Sequence, residues 1–573
     1  MAREVYIAAV GLTKVDLTGR IFASVFDLFE EAYHRALEDS PVRAFEALQV
    51  GIMDSEEFEN RANVAAKVAD RLGLTGIPAI RSETASSTGA AALHEAWAKV
   101  ASGQCDSVLV LAGERMKNVT TEVATSIMSK TIDPVERNFG FTMPALIALI
   151  TQAWLRERKL RGKAVSDLLA RLMVRAHALG AENPLAAFHG RREPLDAYFD
   201  TTKNLPVATP LSRKDCSPIC DGAAAVILTA RPQAVRVAGL GSATETSSIL
   251  DRLHLACLDA TRAAARVAYW RAGIARPREL EGLVVECHDA FNSLLPIDLV
   301  DLGLVEPEES IEAVVGSLRR EPGDPLEHPV TGLRGRLPVN LSGGLKARGH
   351  PVGGTGLFQI AECYLQLTGR FPNPRAQVPG ARIGIAHSIG GPGNNVYVTV
   401  VERSDGKRRL DPVPRPPLMF RSTSLPRPSL AAGGLHGATA VLEAYTSIHV
   451  TSGNQPSPIH VGLVRIADRL AFAKLDHPPH EGERAELVLA GQRVKLLVKD
   501  DGDNYFQIPR GRGFDLSSLV ERVRGAVGLR RAASAPPRAA AQAPGNGGNG
   551  PNGAAAAEPG ADPVGSEAEG EAI

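Results

Sequence analysis

The stretch Asn340-Leu-Ser-Gly-Gly-Leu-Lys-Ala-Arg-Gly-His-Pro-Val-Gly-Gly-Thr-Gly356 places six glycines around one histidine, His350, and one asparagine, Asn340. Glycines let a loop take positive φ and let a ligand approach the backbone closely. A histidine held in such a loop, beside a helix N-terminus, can polarise a carbonyl or deprotonate a nucleophile. Leu337-Pro338-Val339 before the run reads as a short strand. Pro351 suits the first turn of a helix running through Gln359 and Glu362.

The elements that must position this loop follow from apolar periodicity. Strands are expected at Glu4–Val10, Ala47–Met53, Ala79–Ser82 and Ser107–Ala112, with helices at Ser24–Leu37, Ala62–Leu72 and Ser86–Ala101 between them. Longer helical patterns and polar loops fill about 114–205, and Asp221–Leu228 and Val235–Leu240 return to strand. A similar order recurs: a helix at Leu253–Ala272, a strand at Gly282–Cys287, a helix at Phe291–Leu302, the glycine run, a helix at Thr355–Leu367, and strands at Arg382–His387 and Asn395–Val401. Alternation of this kind predicts a layered α/β domain with two similar halves. Asp411–Pro428 is proline-dense and reads as an extended linker. Thr439–Arg522 carries β-type runs such as Tyr445–Val450 and Ala485–Leu489 and predicts a small β-barrel. From about Ala532 the composition predicts disorder.

Lys+Arg and Asp+Glu are equal at 64 each, which gives no electrostatic case for nucleic acid or an anionic membrane as the main partner. No apolar run reaches the ~20 residues of a membrane helix, and no signal-peptide h-region opens the chain. A cytoplasmic protein without membrane insertion is expected. The six cysteines (Cys105, Cys216, Cys220, Cys257, Cys287 and Cys363) are scattered. Cys216-x-x-x-Cys220 has no second pair to complete a zinc site, so no metal is expected.

The run around His350 fills the pattern N-x-x-G-G-x-x-A-x-G-H-P-x-G-x-[ST]-G and resembles the C-terminal signature of thiolases. The likeness covers roughly residues 4–403. Pro210–Leu228 looks like the segment closing the family's N-terminal half. Thr142-Met-Pro-Ala-Leu146 with Ala176–Pro184 looks like the loop domain of the sterol-carrier-type and archaeal branch. Glu286-Cys-His-Asp-Ala-Phe291 falls where that branch has H-D-x-F, and Ala386–Gly391 falls at the final glycine turn. The resemblance implies an α/β thiolase fold, with two βαβαβαββ halves in five layers (αβαβα), plus a small C-terminal OB-like β-barrel. The corresponding boundaries are 1–234 for the first half, with a loop domain at about 114–205, and 235–403 for the second half. A Pro-rich linker at 404–434, the barrel at 435–528 and a disordered tail at 529–573 follow.

The same resemblance implies site residues, and here the chain departs from the family. The nucleophilic cysteine position, in Thr84-Ala-Ser-Ser-Thr-Gly-Ala90, is Ser86. The proton-shuttle cysteine is replaced by Ala290 inside H-D-A-F and by Ser388 in the glycine turn. Cys287 precedes His288 on a strand, where neighbours face opposite ways, and reads as core. His350 and His288 would bind a thioester carbonyl or enolate oxygen, and backbone N–H groups near Ser86 and Gly390 would form a second oxyanion hole. Ser217 matches a serine that contacts the CoA pantetheine, or else forms a turn. Asn340 orders the His350 loop or touches substrate, and His387 lines the pocket or satisfies a turn.

The expected function is that of an acyl-CoA-binding acyltransferase in which Ser86 needs His350 or His288 as base and ordinary thiolysis fails. Retro-aldol cleavage of a β-hydroxyacyl-CoA and non-catalytic binding of CoA esters are the alternatives. CoA thioester is then a substrate, with no permanently bound cofactor. A homodimer is implied by the resemblance, and the barrel is expected to cover the active-site mouth or mediate assembly.

Overall fold

The computed structural model describes residues 3–315, 337–406, 410–417, 437–451, 457–466, 469–476, 491–498 and 504–507. The first half runs β1 (Tyr6–Leu12), α1 (Val25–Glu38), β2 (Ala47–Gly51), α2 (Ser55–Glu59), α3 (Val64–Arg71), β3 (Ala79–Ser82), α4 (Thr88–Ser102) and β4 (Ser107–Glu114). An insertion follows, with α5 (Thr121–Ser129), α6 (Pro134–Asn138), α7 (Met143–Glu157), α8 (Lys163–Gly180), β5 (Pro206–Ala208) and β6 (Leu211–Ser212), before β7 (Gly222–Thr229) closes the half. The second half runs β8 (Val235–Thr244), α9 (Asp259–Ala272), β9 (Leu283–Glu286), α10 (Leu294–Asp301), α11 (Ser310–Val315), α12 (Gly344–Ala347), α13 (Thr355–Leu367), β10 (Ile383–Gly390) and β11 (Asn395–Arg403).

The two halves have one topology. The first orders its strands β3-β2-β4-β7-β1, parallel across β3-β2-β4 and antiparallel through β7. In the second, Val339 bridges Val285 in parallel, and β9-β10-β11-β8 repeat the same senses. Antiparallel pairing of Tyr6 with Arg236 joins them into one nine-stranded sheet.

The layering follows from which helix faces are apolar. In α1 the buried residues Val25, Leu28, Phe29, Ala32, Tyr33 and Ala36 keep helical spacing on one stripe, and Ser24 with Asp27 closes a capping box at its start. Helices α4 and α13 are different. They pack on each other inside one core cluster with strands of both halves, and α13 is buried on nearly every side. The α1 and α3 residues and the α9 and α10 residues belong to separate outer clusters. This is a five-layer αβαβα stack with the α4–α13 pair at its centre.

The helix expected from Leu253 begins only at Asp259. Leu258 is extended (φ −110, ψ 96), and its N–H is held at 2.7 Å by Asp301 Oδ2. Of the proline-rich stretch, residues 410–417 are described and lie along the end of α9, with Asp411 N donating to Gly273 O at 3.1 Å and Arg415 stacked on Trp270. The Ala485–Leu489 run and the tail from Ala532 lie outside the described residues.

The C-terminal strands β12 (Thr439–Ile448), β13 (Ile459–Ile466), β14 (Arg469–Leu475), β15 (Arg493–Val498) and β16 (Asn504–Gln507) close a barrel in the order β12-β13-β14-β16-β15-β12. Only the β14–β16 pairing is parallel. The barrel is seated on the insertion. Ile448 pairs with Ala208, His449 N donates to Val207 O at 2.9 Å, and Phe472 packs on Phe141 with centroids 4.6 Å apart.

Candidate active site

The site is built where the two central helices begin. A Cβ placed on Gly89 of α4 would lie 2.7 Å from Leu357 N and 3.0 Å from Gly353 O. One placed on Gly356 of α13 would lie 2.6 Å from Ala90 N. Only hydrogen side chains let the two N-termini meet. Ahead of α4, Thr88 Oγ1 donates to Ala85 O at 2.6 Å and accepts from Thr84 N at 2.8 Å. Ser87 Oγ donates to Thr84 O at 2.8 Å. These bonds hold Ala85 at φ 53, a left-handed conformation that costs a non-glycine residue roughly 1–3 kcal/mol. The turn leaves Ser86 half-buried at its crest while Ser87 is consumed internally.

His350 ends the glycine loop, its N–H directed at Cys220 Sγ (3.1 Å) and its Nδ1 2.7 Å from Thr355 Oγ1. With Nδ1 accepting the Thr355 hydroxyl proton, Nε2 carries the N–H; with the roles reversed, Nε2 is a base. The His288 and His350 rings meet edge to face at 5.1 Å. Burial holds both neutral: His350 is pushed down to about 3, helped by Arg348, and His288 lies well below the usual range, pushed by burial and then by His350. His288 Nδ1 and Ser388 Oγ are buried without a hydrogen-bond partner among the described residues. Neither histidine is hydrogen-bonded to Ser86. Met53, Phe58, Met116, Ile127 and Val352, with Ala85 against them, form an apolar wall beside this group.

The loop is clamped from below. Asn340, at φ 48, uses both ends of its amide on Cys287, accepting from its N at 2.6 Å and donating to its O at 3.2 Å. Arg348 Nε lies 3.0 Å from Glu362 Oε1, and Ser342 Oγ donates to Glu286 Oε2 at 2.9 Å. Glu286 and Glu362 are both pushed up, Glu362 to about 7, by burial and, for Glu286, by its neighbour Glu362. Glu114, at the end of β4, accepts from Met53 N at 2.8 Å and from Gly353 N at 3.3 Å, tying the two halves together at the start of α13. Burial raises it to about 8.

The expected site residues divide accordingly. His288, His350 and Ser388 gather at the meeting of α4 and α13, with Ser86 at the head of α4. Gly390 lies there too, since a Cβ on it would fall 2.3 Å from Thr84 O. Ala290 accepts from Ser217 N at 2.8 Å, which places Ser217 beside the H-D-A-F segment. Two residues whose roles the sequence left open have their side chains engaged within the fold. Asn340 has its amide engaged by Cys287 and Asp289 and acts as a positioning residue. His387 is fully buried on the opposite face of β10, with Nε2 3.0 Å from Thr261 Oγ1 and Nδ1 3.5 Å from Asp298 Oδ2. Strand alternation puts Ser388, not His387, toward α13. Cys287 shares the His387 side, in the α10 cluster, and its thiol is pushed up by burial and by Asp298.

Glu114, Thr355, Arg348, Glu286 and Glu362 were not legible as site residues. Thr355 could have been found, since it stands five residues after His350 in the same run. The three acids are buried by strands and helices distant in sequence.

A five-layer αβαβα stack with paired central helices and a histidine loop defines the class of fold. The thiolase N-terminal domain family matches residues 5–198, and the thiolase C-terminal domain-like family matches 241–403. An acetyl-CoA acetyltransferase of Methanothermobacter thermautotrophicus is 34% identical over 409 residues, 69% of this chain and 99% of that protein. Sterol carrier protein 2 of Bos taurus is 29% identical over 422 residues, 70% of this chain and 72% of that protein. The solved structure of a monomeric SCP2-thiolase like protein type 1 from Mycobacterium smegmatis shares the fold with TM-score 0.64 at 18% identity, over 89% of this chain and 100% of that one. An Ltp2-ChsH2(DUF35) aldolase gives TM-score 0.56 at 19% identity, over 71% of this chain and 99% of that one. The chain belongs to the thiolase superfamily, in its sterol-carrier-type branch.

Proposed function

We propose that this chain binds a CoA thioester with its carbonyl oxygen between His288 and His350 and runs carbon–carbon bond chemistry through the thioester enolate, without an acyl-enzyme. The reaction class is retro-aldol cleavage of a 3-hydroxyacyl-CoA. The 3-hydroxyl gives up its proton, and the Cα–Cβ electron pair moves into the thioester carbonyl. An aldehyde or ketone leaves, and Cα is reprotonated. The observation that carries this reading is the pair of neutral, buried imidazoles 5.1 Å apart, at a site with Ser86, Ala290 and Ser388 where the family has thiols. Neutral N–H donors in a dry site stabilise a developing oxyanion. The apolar wall of Met53, Phe58, Met116 and Val352 suits an acyl chain, and the aldolase among the solved relatives of this fold is consistent with the reaction.

A second reading has one observation in its favour: the half-buried Ser86 stands at the N-terminus of α4, where an acyl-serine oxyanion would be stabilised. Acylated Ser86 would pass its acyl group one way, to an alcohol, an amine or water. Incubation with acyl-CoA and 3-hydroxyacyl-CoA panels separates the readings. Carbonyl product without an adduct by intact mass spectrometry supports the lyase. An adduct lost in Ser86→Ala supports acyl transfer. CoA-ester binding with neither overturns both and leaves a binding protein.

The protein works in the cytoplasm, and among the described residues no helix is long and apolar enough to cross a membrane. The edge strand β3, with Ile80 50% exposed, would pair two copies, whereas the Mycobacterium smegmatis relative is described as monomeric; light scattering decides between them. We read the barrel as OB-like, its strand order matching that fold, and as a cover or assembly module rather than a nucleic-acid binder. Clear single-stranded DNA binding at physiological salt would overturn that assignment.

A further inference from the structure

The loop ahead of α9 carries His254, Cys257 and Asp259. One ligand atom from each lies within 4.8 Å of the other two. His254 Nδ1 is 2.9 Å from Asp259 Oδ2, and Cys257 Sγ is 3.9 Å from Asp259 Oδ1. A cavity of about 130 Å³ opens beside them, lined by His254, Cys257, Trp154, Arg158, Arg262 and Asp301. Arg158 Nε is buried there without a hydrogen-bond partner among the described residues. The group sits at the N-terminus of α9, in the outer layer of the second half, separate from the Ser86–His350 site.

We propose that His254, Cys257 and Asp259 form a binding site for a divalent transition-metal ion of the zinc type, with the fourth coordination position facing the cavity. The donor set is one imidazole nitrogen, one sulfur and one carboxylate oxygen. That mixture suits zinc and its neighbours, and it disfavours magnesium and calcium, which take oxygen ligands. Zinc binds sulfur at about 2.3 Å and nitrogen or oxygen at about 2.0–2.2 Å. Donors around a tetrahedral ion therefore stand roughly 3.3–3.7 Å apart, inside the span already present. Two of the ligands need little movement. Cys257 and Asp259 are fixed by the packed loop and the first turn of α9, and His254, 58% exposed at its side chain, is free to swing inward.

The surrounding charges leave room for a cation. Arg262 approaches Asp259 Oδ1 at 3.8 Å, but it is held by Asp301 at 2.8 Å. Asp301 in turn accepts from Leu258 N and keeps the loop out of helical geometry. The local charge is therefore the carboxylates of Asp259, Asp301 and Glu157 and, once metal is bound, a thiolate, against the guanidinium groups of Arg158, Arg262 and Arg252, the last of which also acts on Cys257 and Asp259. Sequence spacing hid the site because residues 253–258 carry a helical apolar pattern. On a helix, His254 and Cys257 would share a face without converging on Asp259.

The test uses the full chain without an affinity tag, stripped with a chelator and titrated with cobalt(II) and then zinc. One equivalent of cobalt should give a thiolate-to-metal charge-transfer band that zinc abolishes. Cys257→Ser should remove that band, and His254→Asn should weaken zinc binding at least about tenfold with an unchanged circular dichroism spectrum. Cys105→Ser, at a distant buried thiol, should change nothing. Absence of a band at stoichiometric cobalt, or a band that survives Cys257→Ser, overturns the proposal. Unchanged zinc affinity in His254→Asn overturns it as well. None of these readouts depends on turnover of a CoA ester.

Discussion

The starts of α4 and α13 are the same place in the two halves of one repeated topology, yet they carry different chemistry. Both open with a turn, and both carry a glycine, Gly89 and Gly356, that allows the helices to touch. The second keeps the histidine with its hydroxyl partner Thr355. The first presents Ser86 on a turn strained at Ala85, where the family has a thiol. Scaffold and reaction are separable here: the crossing of the helices depends on backbone and small residues, and the chemistry depends on single side chains above it.

The comparison can be broken at the histidine side first. His350→Ala should leave the fold intact and lower turnover of a CoA ester about 10²–10³-fold, the usual loss for one oxyanion donor, measured as kcat at saturating substrate. Next comes the crossing itself. Gly89→Ala and Gly356→Ala each force a Cβ against backbone of the other helix and should cost roughly 1–3 kcal/mol in denaturant unfolding, with similar losses on the two sides. Unequal losses would show that the halves are not mechanically equivalent.

A pH effect concerns Glu114, which ties the first half to the loop of the second. Its folded value, raised to about 8, lies above that of the unfolded chain. Between the ordinary carboxylate range and about pH 8 the folded state therefore holds a proton that the unfolded state has released, and stability falls as pH rises. Glu114→Gln has no proton to lose, so its stability relative to the parent should improve from pH 5 to pH 8 in parallel unfolding curves. His350, pushed down to about 3, stays neutral in the folded state but gains a proton in the unfolded chain below the ordinary histidine range, so it raises stability with pH in parent and variant alike and cancels from the difference. The smallest effect is expected at Ser86: under the non-covalent reading Ser86→Ala changes lyase turnover less than about twofold, within the range of a group that makes no bond in the transition state. A large loss would restore serine as a nucleophile.

The alternation of strands and helices, the two similar halves and the glycine loop were legible because each rests on local periodicity or on residue types that tolerate special backbone. His350 was legible for the same reason. The roles of His387 and Asn340 stayed open in the sequence because which face a strand residue takes, and what an amide finds opposite it, depend on partners far along the chain: Thr261 and Asp298 for one, Cys287 for the other. The start of α9 was placed too early because Asp301 holds Leu258 out of the helix across an interval of more than forty residues.

By itself the sequence determined the layered α/β class, the position of the histidine loop and the absence of thiols at Ser86, Ala290 and Ser388. Those are statements about local pattern and atom type. Packing brings His288 against His350, keeps both neutral by burial, joins the halves through Glu114 and makes His254, Cys257 and Asp259 converge. Each of these depends on desolvation and on contacts between segments distant in sequence, and no local periodicity encodes either.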